Sequence, residues 1–241
     1  AHPRARHQLN PRVSKGFLTP LKFFEETFKT SLHRVFQAVI EGRYQTLSRK
    51  RFHFLRHSAE QKQFLGLNDF FLGPTSISKS VFYDFKTRLS SVRSVRSTGC
   101  LLYTGTGATG WARSMHFLGT AKINLLAQHF DLTLSPEQIE QFQQDLDTQY
   151  MFNPSASILG FIHREMIPTQ HDEPTEGYSD QFFVRNKSLD GGCVAVDGWQ
   201  SQIAKGEEFS IALAPEQQDL SCLVLDLKEI FACSPLPANP T

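Results

Sequence analysis

Residues 97–116 read STGCLLYTGTGATGWARSMH. An apolar run, 100–103, leads into Thr104-Gly105-Thr106-Gly107-Ala108-Thr109-Gly110, and a helical pattern begins at Trp111. A strand that ends in a glycine-rich turn and opens a helix suits ligand binding. Glycine lets the backbone approach a ligand closely and point successive N–H groups at it, and a helix start favours an anion. Three threonine hydroxyls add short donors for phosphate or ribose oxygens. Three readings stand side by side. A Walker-type P-loop needs lysine after the last glycine, and Trp111 occupies that place, which rejects it. The spacing GxGxxG is met by Gly105, Gly107 and Gly110, with Asp131 standing 21 residues on. A Rossmann unit, however, should open a run of βαβ units, whereas a Gln/Asp-rich helix and several short strands follow. The third reading is a plain structural turn.

Upstream of the loop, short apolar or alternating runs at 52–55, 64–72 and 81–85 predict strands. Before them, Thr19-Pro20 reads as a helix start, Phe24, Phe28, Leu32, Val35 and Val39 share one helical face, and Gly42 supplies the stop. Downstream, a helical insert is expected from about 110 to 150, its second part opened by the capping box Ser135-Pro136-Glu137-Gln138. Strands return at 158–167, 181–184, 193–196, 209–213 and 222–227, with a polar loop at 171–180 and a frayed tail at 234–241. The pattern is α+β: a helix-bearing N-terminal piece followed by a mainly β domain with a helical insert.

Composition narrows the classes. Of 241 residues, 40% are hydrophobic and 21 are Phe, enough for a real core, which excludes global disorder. No run of 18 apolar residues occurs, so no membrane-spanning helix is expected, and AHPRARHQ at residues 1–8 lacks the apolar region of a secretory signal. The four cysteines have no zinc-site spacing and are expected to be reduced thiols. Charge is uneven: residues 1–120 carry 19 Lys and Arg against 6 acids, residues 121–241 carry 6 against 18. An anionic partner on the first half would suit this, either nucleic acid or a phosphate-rich nucleotide, but two opposite faces that dock on one another suit it better. His163, Arg164 and Glu165 alternate on a strand and cannot converge for acid–base work. His171-Asp172-Glu173 has no metal-ligand spacing, no Ser-His-Asp set can be assembled, and the basic stretch Lys86, Arg88, Arg93 and Arg96 reads as a solvated hairpin before a phosphate patch.

A known family decides between the loop readings. NAD kinases carry a loop of the form TPTGSTAY that wraps NAD, and their mitochondrial animal branch carries TGTGSxxW. Residues 104–111, TGTGATGW, resemble the latter. The flanking motifs agree in order. Leu67-Asn68-Asp69 with Phe70-Phe71-Leu72-Gly73 resembles LNE(V/I)-hydrophobic-(I/L)G, whose Asn-acid pair holds the NAD ribose hydroxyls. Leu9-Asn10-Pro11 with Ser14 and Gly16-Phe17-Leu18 resembles the stretch before the β domain, and Arg49-Lys50-Arg51-Phe52 its basic first strand. Arg164-Glu165-Met166-Ile167 is similar to R-E-P-I, and Val196-Asp197-Gly198 to a VDG turn.

The resemblance implies a mitochondrial-type NAD kinase, phosphorylating the NAD 2′-hydroxyl with ATP and Mg²⁺, in the mitochondrial matrix and as a homodimer, without nucleic-acid or membrane partners. It implies a remnant of an α/β ATP-binding domain at 1–48, a β-sandwich-like NAD-binding domain at 49–215 with its helical insert, and a returning segment and tail at 216–241. The NAD-binding residues it points to are Asn68, Asp69, Thr104, Gly105, Thr106, Gly107, Ala108, Thr109 and Trp111. No catalytic or metal-binding residue is assigned here, because the family's GGDGT motif, with the catalytic aspartate, is expected upstream. The chain alone is therefore expected to bind NAD weakly and not to phosphorylate it. Two departures stand out: Asp69 replaces the family's Glu, one methylene shorter, and Thr98 stands where many bacterial relatives have Asp, as in the mitochondrial branch. The alternatives are a non-catalytic NAD(P)-binding module and, less favoured, a Rossmann-type NAD dehydrogenase.

Overall fold

The computed structural model describes residues 28–57, 63–76, 78–167 and 174–225. These fall into two compact units, one of 28–47 and 221–225, the other spanning 48–220.

In the first unit, helix α1 (Phe28–Ile40) turns Leu32, Val35 and Val39 to a half-buried side, with Ala38 fully buried. Gly42, at φ +72°, ends it: Gly42 N–H donates to the Val39 carbonyl and Arg43 N–H to the Ala38 carbonyl. This is the left-handed C-terminal cap that glycine accepts without a Cβ penalty. The helix start expected at Thr19 lies outside the described residues. Strands β1 (Gln45–Arg49) and β14 (Leu220–Val224) pair with one another.

The second unit is a sandwich of two antiparallel six-stranded sheets. One sheet orders β3 (Gln63–Gly66), β2 (Phe52–Arg56), β13 (Glu208–Leu213), β10 (Gln181–Asn186), β5 (Val81–Thr87) and β6 (Arg93–Ser97). The other orders β12 (Trp199–Ile203), β11 (Gly192–Val196), β4 (Asp69–Gly73), β7 (Gly99–Tyr103), β8 (Leu159–Arg164) and β9 (Glu176–Ser179). Alternation sends Phe52, Phe54, Tyr83, Phe85, Phe182, Val184, Phe209 and Ile211 of the first sheet into one core with Phe70, Leu72, Leu102, Phe161, Val194 and Val196 of the second.

The second sheet is buried on both faces at β7, whose five residues are all buried. Cys100 and Leu102 face the sandwich core, while Leu101 and Tyr103 face a second cluster with Ala108, Ala112 and Ile162. That cluster is closed by α2 (Trp111–His116), which opens the insert ahead of α3 (Thr120–His129) and α4 (Pro136–Tyr150). Arg113 of α2 pairs with Asp147 of α4, and the His116 ring stacks on Tyr150 at 3.7 Å while its Nδ1 lies 3.2 Å from the Glu176 carboxylate of β9. These contacts hold the insert against the sheet and fix the direction of the glycine loop.

Two strand expectations are revised. The apolar run 64–72 is two strands in different sheets, because residues 67 and 68 carry the chain from one layer to the other. The expected polar loop 171–180 contains β9, an edge strand. Arg93 is likewise no solvated hairpin residue: its guanidinium lies over the Phe85 and Phe161 rings, 5.5 and 5.9 Å from their centroids.

Candidate functional site

Strand β7 delivers the chain to Thr104, which is fully buried and uses both its backbone and its hydroxyl to shape the loop. Its N–H donates to the Asn68 carbonyl (3.0 Å), extending the β4–β7 ladder by one rung. Its Oγ1 donates to the Leu67 carbonyl (2.6 Å) and accepts from the N–H groups of Thr106 (3.1 Å) and Gly107 (3.2 Å). One hydroxyl can do this because it carries one donor and two acceptor lone pairs. The Ala108 N–H closes on the Thr104 carbonyl at 2.9 Å and the Gly110 N–H on the Gly107 carbonyl at 3.1 Å.

These amides therefore point at acceptors inside the loop and not outward as expected. The reason for the glycines differs too. Neither Gly105 nor Gly107 has positive φ. A Cβ on Gly107 would overlap the Asn68 carbonyl, and one on Gly105 the Asn153 carbonyl. The close approach that demands glycine is to the chain's own backbone. The remaining threonine hydroxyls are also engaged: Thr106 Oγ1 accepts from Arg49 Nη1 (3.2 Å), and Thr109 Oγ1 donates to the Thr106 carbonyl (3.2 Å). Ala108 is buried in the second cluster. Trp111 is 38% exposed, its ring 4.5 Å from that of Phe71, and so forms an open aromatic wall beside the loop.

Asn68 and Asp69 are different. Both are half-buried, and among the described residues neither the Asn68 amide nor the Asp69 carboxylate has a hydrogen-bond partner. They stand where the loop is tied to β4, and Asp69 pairs across the ladder with Tyr103, immediately before the loop. Burial, and next the neighbouring Asp197 carboxylate, push the Asp69 carboxyl up to about 6. An acceptor-rich, desolvated carboxylate beside an amide that both donates and accepts is suited to vicinal hydroxyls.

Asp197 is the residue that sequence reading placed in a turn motif but gave no part in the site. At φ +45°, it turns its carboxylate to accept from the N–H groups of Leu67 (2.7 Å), Asn68 (2.8 Å) and Asp69 (3.3 Å). It thus holds the segment carrying the Asn-acid pair, from about 130 residues away in the chain. Arg49, seen in the sequence only as part of a basic run, is the second such residue, reaching the loop through Thr106. The structure thus brings all nine expected residues to one end of β4 and β7.

No model of a known protein family matches the chain. Human mitochondrial NAD kinase 2 is 24% identical over 191 residues, covering 75% of this chain and 43% of that protein. The Xenopus tropicalis protein of the same name is 23% identical over 159 residues, covering 62% and 36%, and the Rattus norvegicus one 21% over 168 residues, covering 66% and 39%. The chain therefore spans about four tenths of the length of these relatives. Among solved structures, yeast NADH kinase complexed with NADH shares the fold at a TM-score of 0.62 and 15% identity, over 94% of this chain and 58% of that one.

Proposed function

We propose that this chain, of the NAD kinase family by sequence similarity and fold, is the NAD-binding part of an ATP-dependent kinase that phosphorylates the NAD 2′-hydroxyl. The observation that carries the reading is the adjacent Asn68 amide and Asp69 carboxylate, neither bonded within the described chain, at the base of a loop whose own polar groups are almost all engaged. In this reading the pair takes the ribose hydroxyls of NAD, the Asn68 amide donating and accepting and the Asp69 carboxylate accepting. The loop acts as a rigid wall set by Thr104, and Trp111 with Phe71 offers an apolar surface for a flat ring. ATP supplies the phosphoryl group. No group of three or more potential ligands for Mg²⁺ occurs among the described residues, so none is assigned. The mitochondrial matrix and a homodimeric state belong to the same proposal.

Titration of the chain with NAD by calorimetry tests it. Asn68→Ala should weaken binding by at least about tenfold, from loss of hydrogen bonds worth roughly 1–3 kcal/mol, with the melting temperature unchanged. Wild-type protein that does not bind NAD, or an Asn68→Ala variant that binds it equally well, would remove the pair from the site.

A further inference from the structure

Arg49 is the only buried Lys or Arg among the described residues, 8% exposed. Of its neighbours in the basic run, Lys50 pairs with Asp219 at 2.8 Å. Arg51 also has one neutral acceptor, the Leu65 carbonyl at 3.3 Å, and a buried Nε without a partner, but it is only half-buried, so water still reaches its charge. Further along β2, Arg56 has Glu207 at 2.6 Å. Arg49 has no carboxylate among the described residues. Its guanidinium has one hydrogen-bond partner there, the neutral hydroxyl of Thr106, and its Nε is buried with none. Taking an ion out of water without an opposing charge is among the costliest arrangements a fold can hold, and persists when a counter-charge arrives with a ligand.

The position of this charge says which ligand. Thr106, which Arg49 touches, is followed by Gly107, whose Cα packs on the Asn68 backbone. A short chain of contacts therefore joins the buried cation to the Asn68–Asp69 pair. A planar guanidinium with unfilled donors is the group that suits phosphate oxygens, to which it can present two N–H bonds at once.

We propose that Arg49 is a phosphate-binding residue of this site, its missing counter-charge being a phosphate oxyanion of the bound nucleotide, in the first place the pyrophosphate of the dinucleotide. The inference rests on the dinucleotide reading above and adds to it a second recognition element, for charge where Asn68 and Asp69 recognise hydroxyls. It also makes Arg49 unlike a structural arginine, since its removal relieves the ligand-free protein and harms only the complex.

The test uses Arg49→Met, which keeps the length and loses the charge, and Arg49→Lys, which keeps the charge and loses the fork. Melting temperature and affinity are measured for NAD, ATP, inorganic pyrophosphate and the phosphate-free adenosine and nicotinamide riboside. Arg49→Met should melt no lower than wild type without ligand, and its NAD affinity should fall at least tenfold. Its affinity for the two phosphate-free nucleosides should stay unchanged, and Arg49→Lys should fall between. A loss confined to ATP would keep the phosphate role and assign it to the donor's phosphates instead. Equal NAD, ATP and pyrophosphate affinities in a folded Arg49→Met protein would overturn the proposal while leaving the dinucleotide reading intact. If wild type binds pyrophosphate through Arg49 but not NAD, the dinucleotide reading falls and the phosphate site stands; if it binds no phosphate compound, both fall. Should Arg49→Met melt well below wild type, Arg49→Lys decides: unchanged NAD affinity in that variant makes Arg49 structural, and weakened affinity in a stable protein supports the proposal.

Discussion

Asp69 shows how far one residue can be bent by its surroundings. Its carboxyl ionises near 6, against an ordinary value of 3.8, because it is desolvated and has the Asp197 carboxylate nearby. The folded chain therefore holds the proton more tightly than the unfolded one, so ionisation of Asp69 costs stability. The cost begins above about pH 4, grows to pH 6 and is full beyond it, on the order of 3 kcal/mol. Asp69→Asn should accordingly melt a few degrees above wild type at pH 7.5, with the gain shrinking to almost nothing at pH 4. Melting curves across that range check it, and a gain independent of pH would refute the coupling. On the proposed function, Asp69 is a residue whose binding role competes with the stability of its own fold. The contrast with Thr104 is instructive. Both are candidate site residues in the sequence, yet one hydroxyl is consumed in building the loop, one carboxylate has no hydrogen-bond partner among the described residues, and only their neighbours distinguish them.

At the scale of elements, the best-read feature is α4. Ser135 accepts from the Gln138 N–H at 3.3 Å, and Gln138 Oε1 accepts from the Ser135 N–H at 2.8 Å, with Pro136 opening the helix. The box is legible because every partner lies within three residues. Ser135→Ala should cost about 1 kcal/mol and raise amide exchange in the first turn of α4, without disturbing the proposed NAD site. Exchange faster throughout the insert would show that the cap holds more than one helix end. The strands that sequence reading passed over share a cause. β6, β9 and β12 are edge strands of their sheets, and β1 belongs to a two-stranded pair. RSVRS, EGYS and WQSQI carry few apolar residues because an edge is covered on one side only, and the period-2 signal weakens with it.

At the scale of the molecule, folding brings cations of the first half of the sequence against acids of the second among the described residues. The first sheet interleaves early strands β2, β3, β5 and β6 with late strands β10 and β13. Cations of the first half then meet acids of the second: Lys50 with Asp219, Arg56 with Glu207, Lys79 with Asp190, Arg88 with Asp180, Arg113 with Asp147. The exposed pairs contribute little each, and stability comes from the aromatic core between the sheets. Phe54 is fully buried there, its ring 5.2 Å from Phe70 of the opposite sheet and 5.5 Å from Phe209 beside it. Phe54→Ala should cost about 3–5 kcal/mol and lower the melting temperature by roughly 10 °C, the two sheets separating together. Two separate calorimetric transitions would show that the sheets are not one cooperative unit.

Sequence alone determined what depends on neighbours in the chain and on local period. That covers the mainly β architecture with its helical insert, the glycine loop between strand and helix, the capping box and the stop at Gly42; the nine candidate site residues came from the family resemblance. Tertiary structure decided what each of those residues is free to do. Asp197 reaches Leu67, Asn68 and Asp69 across 128 to 130 positions, and Arg49 reaches Thr106 across 57. Contacts at such separations leave no periodic trace. They decide that the loop threonines and Gly105 and Gly107 serve its internal packing, while Asn68, Asp69 and Arg49 keep polar atoms unpaired among the described residues. Whether a side chain has a partner is a property of the folded surroundings and not of its identity, and it is there that the proposed binding groups separate from the groups that build the loop.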